Sequence, residues 1–320
     1  LPIGYTDAQD KGQYKLSKTT DQTRFHYNIG ARSWKHFLFP PHEKQFTSDQ
    51  KKGTLKVMPA VKKTPKYAFI GVRSCELHAI FIQDKVFESG PSQDEAYTKR
   101  REQNLIVAVN CTKASSTCFC VSMNTGPFVE KGYDLALTEI IKKNQHVFLI
   151  EAGSPKGETI FKQLLLEEAD KTLWAEKTHL MKETQKQMGR TLDTQDIKET
   201  LYKNHDHLHW DDVAKRCINC ANCTLACPTC FCSSPEEKTE LGSEKSTQSR
   251  VWDSCFSQEF TYVHHTVVRE SAKSRYRQWM IHKVASWIDQ FGTSGCVGCG
   301  RCITWCPVGI DITEEYITLK

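Results

Sequence analysis

Two cysteine runs constrain this chain more than anything else in it. Residues 217–228 read C-I-N-C-A-N-C-T-L-A-C-P, and residues 296–307 read C-V-G-C-G-R-C-I-T-W-C-P. Both are C-x2-C-x2-C-x3-C-P. In this spacing three thiolates wrap three irons of one 4Fe–4S cubane. The fourth cysteine, a helical turn further on, points away and serves the other cluster. The spacing therefore predicts crossed ligation. Cluster one takes Cys217, Cys220, Cys223 and Cys306, and cluster two takes Cys296, Cys299, Cys302 and Cys227. Structural zinc is the plainer alternative, but it rarely uses four cysteines in a 2-2-3 run. Disulfides fit worse, because the 15 cysteines are an odd number and the spacings are too tight.

The chain has 320 residues, 39% of them hydrophobic and 25% charged. That suits about two soluble domains with real cores. No apolar run approaches the roughly 20 residues of a membrane helix, and no secretory signal peptide is visible. The chain opens on Leu1 rather than Met, so a missing or trimmed start is expected. Many free thiolates holding iron imply a reducing cytoplasm. The net charge of +5 is scattered, without a basic stripe interleaved with aromatics, which argues against nucleic-acid binding. An acidic partner protein suits the charge mildly.

Along the chain, residues 1–65 are polar apart from the aromatic stretch 32–41, R-S-W-K-H-F-L-F-P-P. Its prolines stop a helix, and it reads as a plug packed on the next segment. Residues 67–72 (Y-A-F-I-G-V), 105–109 (L-I-V-A-V) and 146–150 read as buried strands. Helices are predicted at about 76–87, with Ser74 as N-cap, and at 97–102. Strand, helix and strand with short loops predict an α/β domain over 1–152. A helical connector follows over 153–209, then a mainly helical domain over 210–320. Residues 235–250 read as a polar loop, and 260–291 as a long helix with Val263, Val267, Tyr276, Met280, Val284 and Ile288 on its buried stripe.

Cys75 and Cys111 follow two of the predicted strands, at the sheet edge where ligands gather. Cys118 and Cys120 lie just beyond, in a Ser/Thr-rich loop closed by Gly126-Pro127. These four can hold a third cluster. Zinc, or no metal at all, remains open on spacing alone. Arg73, His78, Arg100 and Arg101 are expected to flank them, where a cation would raise a cluster's potential. Cys230, Cys232 and Cys255 are surplus, and packing around cluster two is expected.

The two runs lie about 70 residues apart with helix between them. That spacing resembles the α-helical ferredoxin domain of fumarate-reductase-type iron–sulfur subunits. Further segments carry a second resemblance: G-V-R-S-C-E-L-H-A-I (71–80), Y-T-K-R-R (97–101), N-C…C-F-C-V-S-M-N-T-G-P (110–127), C-P-T-C-F-C (227–232), R-Y-R-Q…H-K (275–283) and C-V-G-C-G-R-C…C-P-V-G-I-D-I (296–312). Together they resemble the iron–sulfur β subunit of cytoplasmic NAD(P)-linked nickel–iron sulfhydrogenases, and its homologue, the iron–sulfur subunit of anaerobic sulfite reductase. The resemblance implies an electron-relay subunit between a catalytic core and an NAD(P)H-oxidising flavoprotein subunit. That core is the small and large hydrogenase subunits or, alternatively, a siroheme sulfite reductase subunit. It also implies Cys75, Cys111, Cys118 and Cys120 as ligands of an additional 4Fe–4S cluster. The chain departs mildly from its relatives at Ser74-Cys75-Glu76. It shows no nickel-ligand set, siroheme motif or G-x-G-x-x-G fingerprint of its own.

Overall fold

The computed structural model describes residues 2–51, 54–62, 64–142, 145–239 and 241–320. An amino-terminal hairpin and two four-stranded sheets organise it. Their strands are Tyr5–Asp10 (β1), Gln13–Lys18 (β2), His42–Lys51 (β3), Thr54–Pro59 (β4), Ala68–Arg73 (β5), Leu105–Val109 (β6), Leu135–Lys142 (β7), Gln145–Ala152 (β8), Ser233–Thr239 (β9) and Lys245–Trp252 (β10).

The first core forms around the order β5-β6-β7-β8, with β5, β6 and β7 parallel and β8 antiparallel. Phe69, Val72, Ile106, Ala108 and Ala136 are buried against the helices Ser74–Phe87 and Glu95–Gln103. The inner strand β6 is buried from Ile106 to Val109, as a continuous apolar run predicts, whereas β5 leaves Ile70 exposed. The strand β7 escapes the sequence reading because L-A-L-T-E-I-I-K contains a charge. Glu139 is nevertheless buried, and its carboxylate accepts from Arg24 N (2.8 Å) and Phe25 N (2.9 Å). The helix after β5 begins at Ser74 itself, so its cap falls one residue earlier than predicted. Arg73 occupies the cap, and its backbone N–H donates to Glu76 Oε2 at 3.2 Å. The aromatic stretch does act as a plug: Trp34 and Phe37 lie over Phe69, with ring centroids 4.7 and 5.6 Å away, and Leu38 and Phe39 are buried.

The predicted polar loop at 235–250 is instead the pair β9 and β10. They join β3 and β4 in a second, antiparallel sheet of order β4-β3-β10-β9. Hydrophobic alternation does not mark these strands, because charge holds them. Arg250 pairs with Asp94 (2.6 Å) and Glu43 (2.7 Å), and Trp252 Nε1 donates to Phe39 O at 3.0 Å. Strands from the first sixty residues thus share one sheet with strands that follow the first cysteine run.

The second core is helical. Helices Ile197–Lys203, His209–Arg216, Ala272–Ile281 and Ile312–Leu319 enclose Leu201, Trp210, Met280, Val284 and Tyr316. The predicted long helix starts only at Ala272. Before it, Tyr262–Val263 and Thr266–Val267 form a small hairpin. His264 and His265 turn that hairpin with φ of 48° and 66°, so Val263 and Val267 leave the buried stripe. A π-helical segment, His282–Ser286, interrupts the helical run beyond Ile281.

Candidate metal centres

The helix His209–Arg216 ends where Cys217 N bonds Val213 O at 3.0 Å. Left-handed backbone at Asn219 (φ 56°) and Ala221 (φ 63°) then curls the chain, and Cys223 lies in the first turn of the next short helix. The second run repeats the curl at the matching positions, Gly298 (φ 62°) and Gly300 (φ 73°). Glycine is required there by a close approach. A Cβ on Gly298 would lie 2.6 Å from the Phe119 carbonyl, and one on Gly300 would lie 2.4 Å from Thr117 O.

Cys217, Cys220, Cys223 and Cys306 line one cavity, walled by Phe256, Tyr276, Trp279, Ile310 and Ile312. Burial raises the thiols of Cys217 and Cys223 above their ordinary range. Tyr276 Oη and Trp279 Nε1 are buried without a hydrogen-bond partner among the described residues. Cys227, Cys296, Cys299 and Cys302 form the next group, with Cys296 and Cys302 each within electrostatic reach of Cys299 and Cys227. Burial pushes Cys296 up to about 12 and raises Cys302. Crossed grouping is thus present: the last cysteine of each run stands with the first three of the other.

The third group also assembles. Cys75, Cys111, Cys118 and Cys120 line a single cavity at the carboxyl ends of β5 and β6. Cys75 sits in the first turn of its helix, and Cys111 N bonds Pro127 O at 3.0 Å. Burial raises Cys75 and Cys120, and pushes Cys118 up to about 12. Of the four flanking cations expected, Arg73 arrives: its Nη1 lies 3.7 Å from Cys111 Sγ. Arg100 pairs with Glu43 and Arg101 with Asp84 (3.3 Å), away from the cysteines. His78 lines a separate groove. Sequence spacing could not separate these arginines from Arg73, because only the placement of the helix Glu95–Gln103 decides where they point.

The cation that the sequence reading misses is Arg301, next to Gly300 in the second run. It is buried, lines the third cavity and pairs with Glu76 at 2.7 Å. Cys299 lines the same cavity, and Cys302 lines the first. The second group therefore adjoins both other cavities. Of the surplus thiols, Cys230 stands beside the second group, while Cys255 is within electrostatic reach of Cys223 in the first. Cys232 and Cys255 share a hydrogen bond, and Cys230 shares one with Cys227.

A thiol raised by burial stays protonated unless a cation displaces its proton. Four thiols in one cavity are a donor set for iron. Tyr276 Oη and Trp279 Nε1 would supply hydrogen bonds to its sulfur. Among the described residues no three His, Cys, Asp or Glu side chains are grouped closely enough to hold one metal ion.

Known proteins carry the same pattern. Residues 216–310 match the family model of the 4Fe-4S dicluster domain. The chain is 28% identical to sulfhydrogenase 2 subunit beta of Pyrococcus furiosus over 314 residues, 96% of this chain and 89% of that one. No solved structure matches significantly. No helix among the described residues is long and apolar enough to cross a membrane. Residues 216–310 thus resemble a 4Fe–4S dicluster domain, and the chain is similar along nearly its whole length to one sulfhydrogenase β subunit.

Proposed function

We propose that this chain is the electron-transfer iron–sulfur subunit of a nickel–iron hydrogenase. It relays electrons between the small and large catalytic subunits and an NAD(P)H-oxidising flavoprotein subunit. The observation that carries this reading is the adjacency of three four-thiol groups, with Cys299 in the wall of the third cavity and Cys302 in the wall of the first. In this reading each group holds one 4Fe–4S cluster through the twelve cysteines named above. The likeness to a sulfhydrogenase β subunit supports the hydrogenase as the destination. The carboxyl-terminal part is then an α-helical ferredoxin type of domain over 210–320, behind an α/β part over 1–152 and a connector over 153–209. The complex works in the cytoplasm.

The clusters supply one-electron carriers. The protein's part is to hold them rigidly, close together and mostly dry. The test is the metal content of the complex purified natively around this chain. Nickel near one per complex, with iron and flavin, is the expected result. Siroheme without nickel would place the chain with anaerobic sulfite reductase instead. A colourless zinc protein would overturn the relay altogether.

A further inference from the structure

Lys283 is buried deep in the second core, 6% exposed, at the π-helical segment His282–Ser286. Its ammonium has three donors, and all three are used. Nζ lies 3.2 Å from Cys227 Sγ, 3.1 Å from Thr229 Oγ1 and 3.5 Å from Cys230 Sγ. No carboxylate pairs with it among the described residues. A second buried lysine, Lys35, stands nearby, but it points at the Cys230 carbonyl (3.1 Å) and the Trp252 ring (3.8 Å) rather than at sulfur. Of the third group's cations, Arg301 is answered by Glu76, and Arg73 is held by the carbonyls of Phe25 and Tyr27. In the first cavity's surroundings, Arg275 is engaged by the carbonyls of Phe256, Arg269 and Glu270. Lys283 is thus a buried cation aimed at a cysteine of the relay without a carboxylate to cancel it, and at 3.2 Å it stands nearer its sulfur than Arg73 does at 3.7 Å. A buried ammonium is costly unless an anion compensates it. A negatively charged thiolate-ligated cluster is such an anion.

The lysine is also built into both halves of the second group. Its carbonyl accepts from Gly295 N at 2.7 Å, directly before Cys296. Thr229 Oγ1 donates to Gly295 O at 2.7 Å and stands 3.1 Å from Cys227 Sγ. The π-helical turn is what brings the ammonium and the carbonyl to these two partners at once.

We propose that Lys283 is a positioning residue that sets the potential of the second cluster: its fixed charge and its hydrogen bond to Cys227 stabilise the reduced, more negative state. This rests on the iron–sulfur reading above. The cluster held by Cys227, Cys296, Cys299 and Cys302 then becomes a preferred resting place for an electron between the two other groups. Net charge and hydrogen bonds to sulfur are the levers that tune such potentials.

The test is an EPR-monitored redox titration of the natively purified complex carrying Lys283→Met, Lys283→Gln or Lys283→Arg, with iron determined in each. In Lys283→Met and Lys283→Gln, one cluster signal should move to lower potential. At fixed potential its reduced-to-oxidised ratio should fall at least tenfold, or ~59 mV for a one-electron couple. The other signals should stay, and Lys283→Arg should restore most of the shift. Full iron with unchanged midpoints overturns the proposal. So does failure of all three variants, arginine included, to load the second cluster, since the site would then need the lysine's shape rather than its charge. A wild-type complex without cluster signals fails the iron–sulfur reading instead, and is distinguished by its iron content.

Discussion

Cys306 shows how a single thiol can belong to a site assembled mostly from another part of the chain. Its Sγ accepts from Ile310 N at 3.3 Å and lines the cavity of Cys217, Cys220 and Cys223, 83 residues upstream at the nearest. Cys306→Ala should therefore remove the cluster of the first run and spare that of its own run. Iron should fall by roughly one third in a three-cluster protein, and EPR should lose one signal. Loss of the cluster held by Cys296, Cys299 and Cys302 would contradict the crossed arrangement. Proton bookkeeping belongs at the same scale. Burial raises Cys118 and Cys296 to about 12, so both thiols hold their protons through neutral pH. Ligation must expel those protons, so iron uptake should release protons and weaken as pH falls. Reconstitution at about pH 6 should load fewer clusters than at about pH 8, read by iron content and visible absorbance. Equal loading would mean that the thiols are not the ligands.

At the scale of elements, the decisive contact is between the loop that carries Cys118 and Cys120 and the curl around Cys299. Phe119 N donates to Gly298 O at 2.9 Å, and the two backbones nearly touch. Gly298→Ala would combine a positive φ of 62° with a Cβ placed 2.6 Å from backbone. A cost of about 1–3 kcal/mol is expected from the conformation alone, and the collision adds to it. Thermal melting should show the loss. Cluster content should show the second and third groups suffering together and the first least. Ala221 occupies the equivalent position to Gly300 with φ of 63°, so left-handed backbone by itself is tolerated in this curl. Much of this scale was legible beforehand. The strand at 105–109 and the helix after Cys75 were readable, because their apolar residues recur at the spacing each element needs. The strand β7 was hidden by Glu139, and β9 and β10 by a composition of serine, lysine and glutamate. Their stability comes from partners far away in the chain, which local pattern does not record.

Across the whole molecule the parts are stitched rather than strung. The β3–β10 pairing runs from Lys245–Asp49 to Val251–His42. The amino-terminal hairpin lies on the second cysteine run, where Gly12 N bonds Ile303 O (3.1 Å) and Tyr14 stacks on Trp305 with centroids 5.4 Å apart. Residues 210–320 expressed alone would leave β10 with an open edge and Gly298 without the loop it packs on. That fragment should aggregate or fail to retain clusters. Chromatography and iron analysis against the full chain would check this, and a monodisperse fragment with two stable clusters would refute it.

The sequence by itself determined the chemistry. Two C-x2-C-x2-C-x3-C-P runs predict iron–sulfur ligation and its crossing, because thiolate spacing is set by the geometry of the centre and by little else. The four cysteines of the third group could be nominated together, but with zinc or no metal left open on spacing alone. Only the parallel pairing of β5 and β6 brings Cys75 and Cys111 to one edge. Only the tertiary structure decided which cations serve the sulfurs. Arg100 and Arg101 turn to carboxylates, while Arg301 and Lys283 turn inward. A buried charge is placed by what desolvates and compensates it, and that environment comes from segments far apart in the chain.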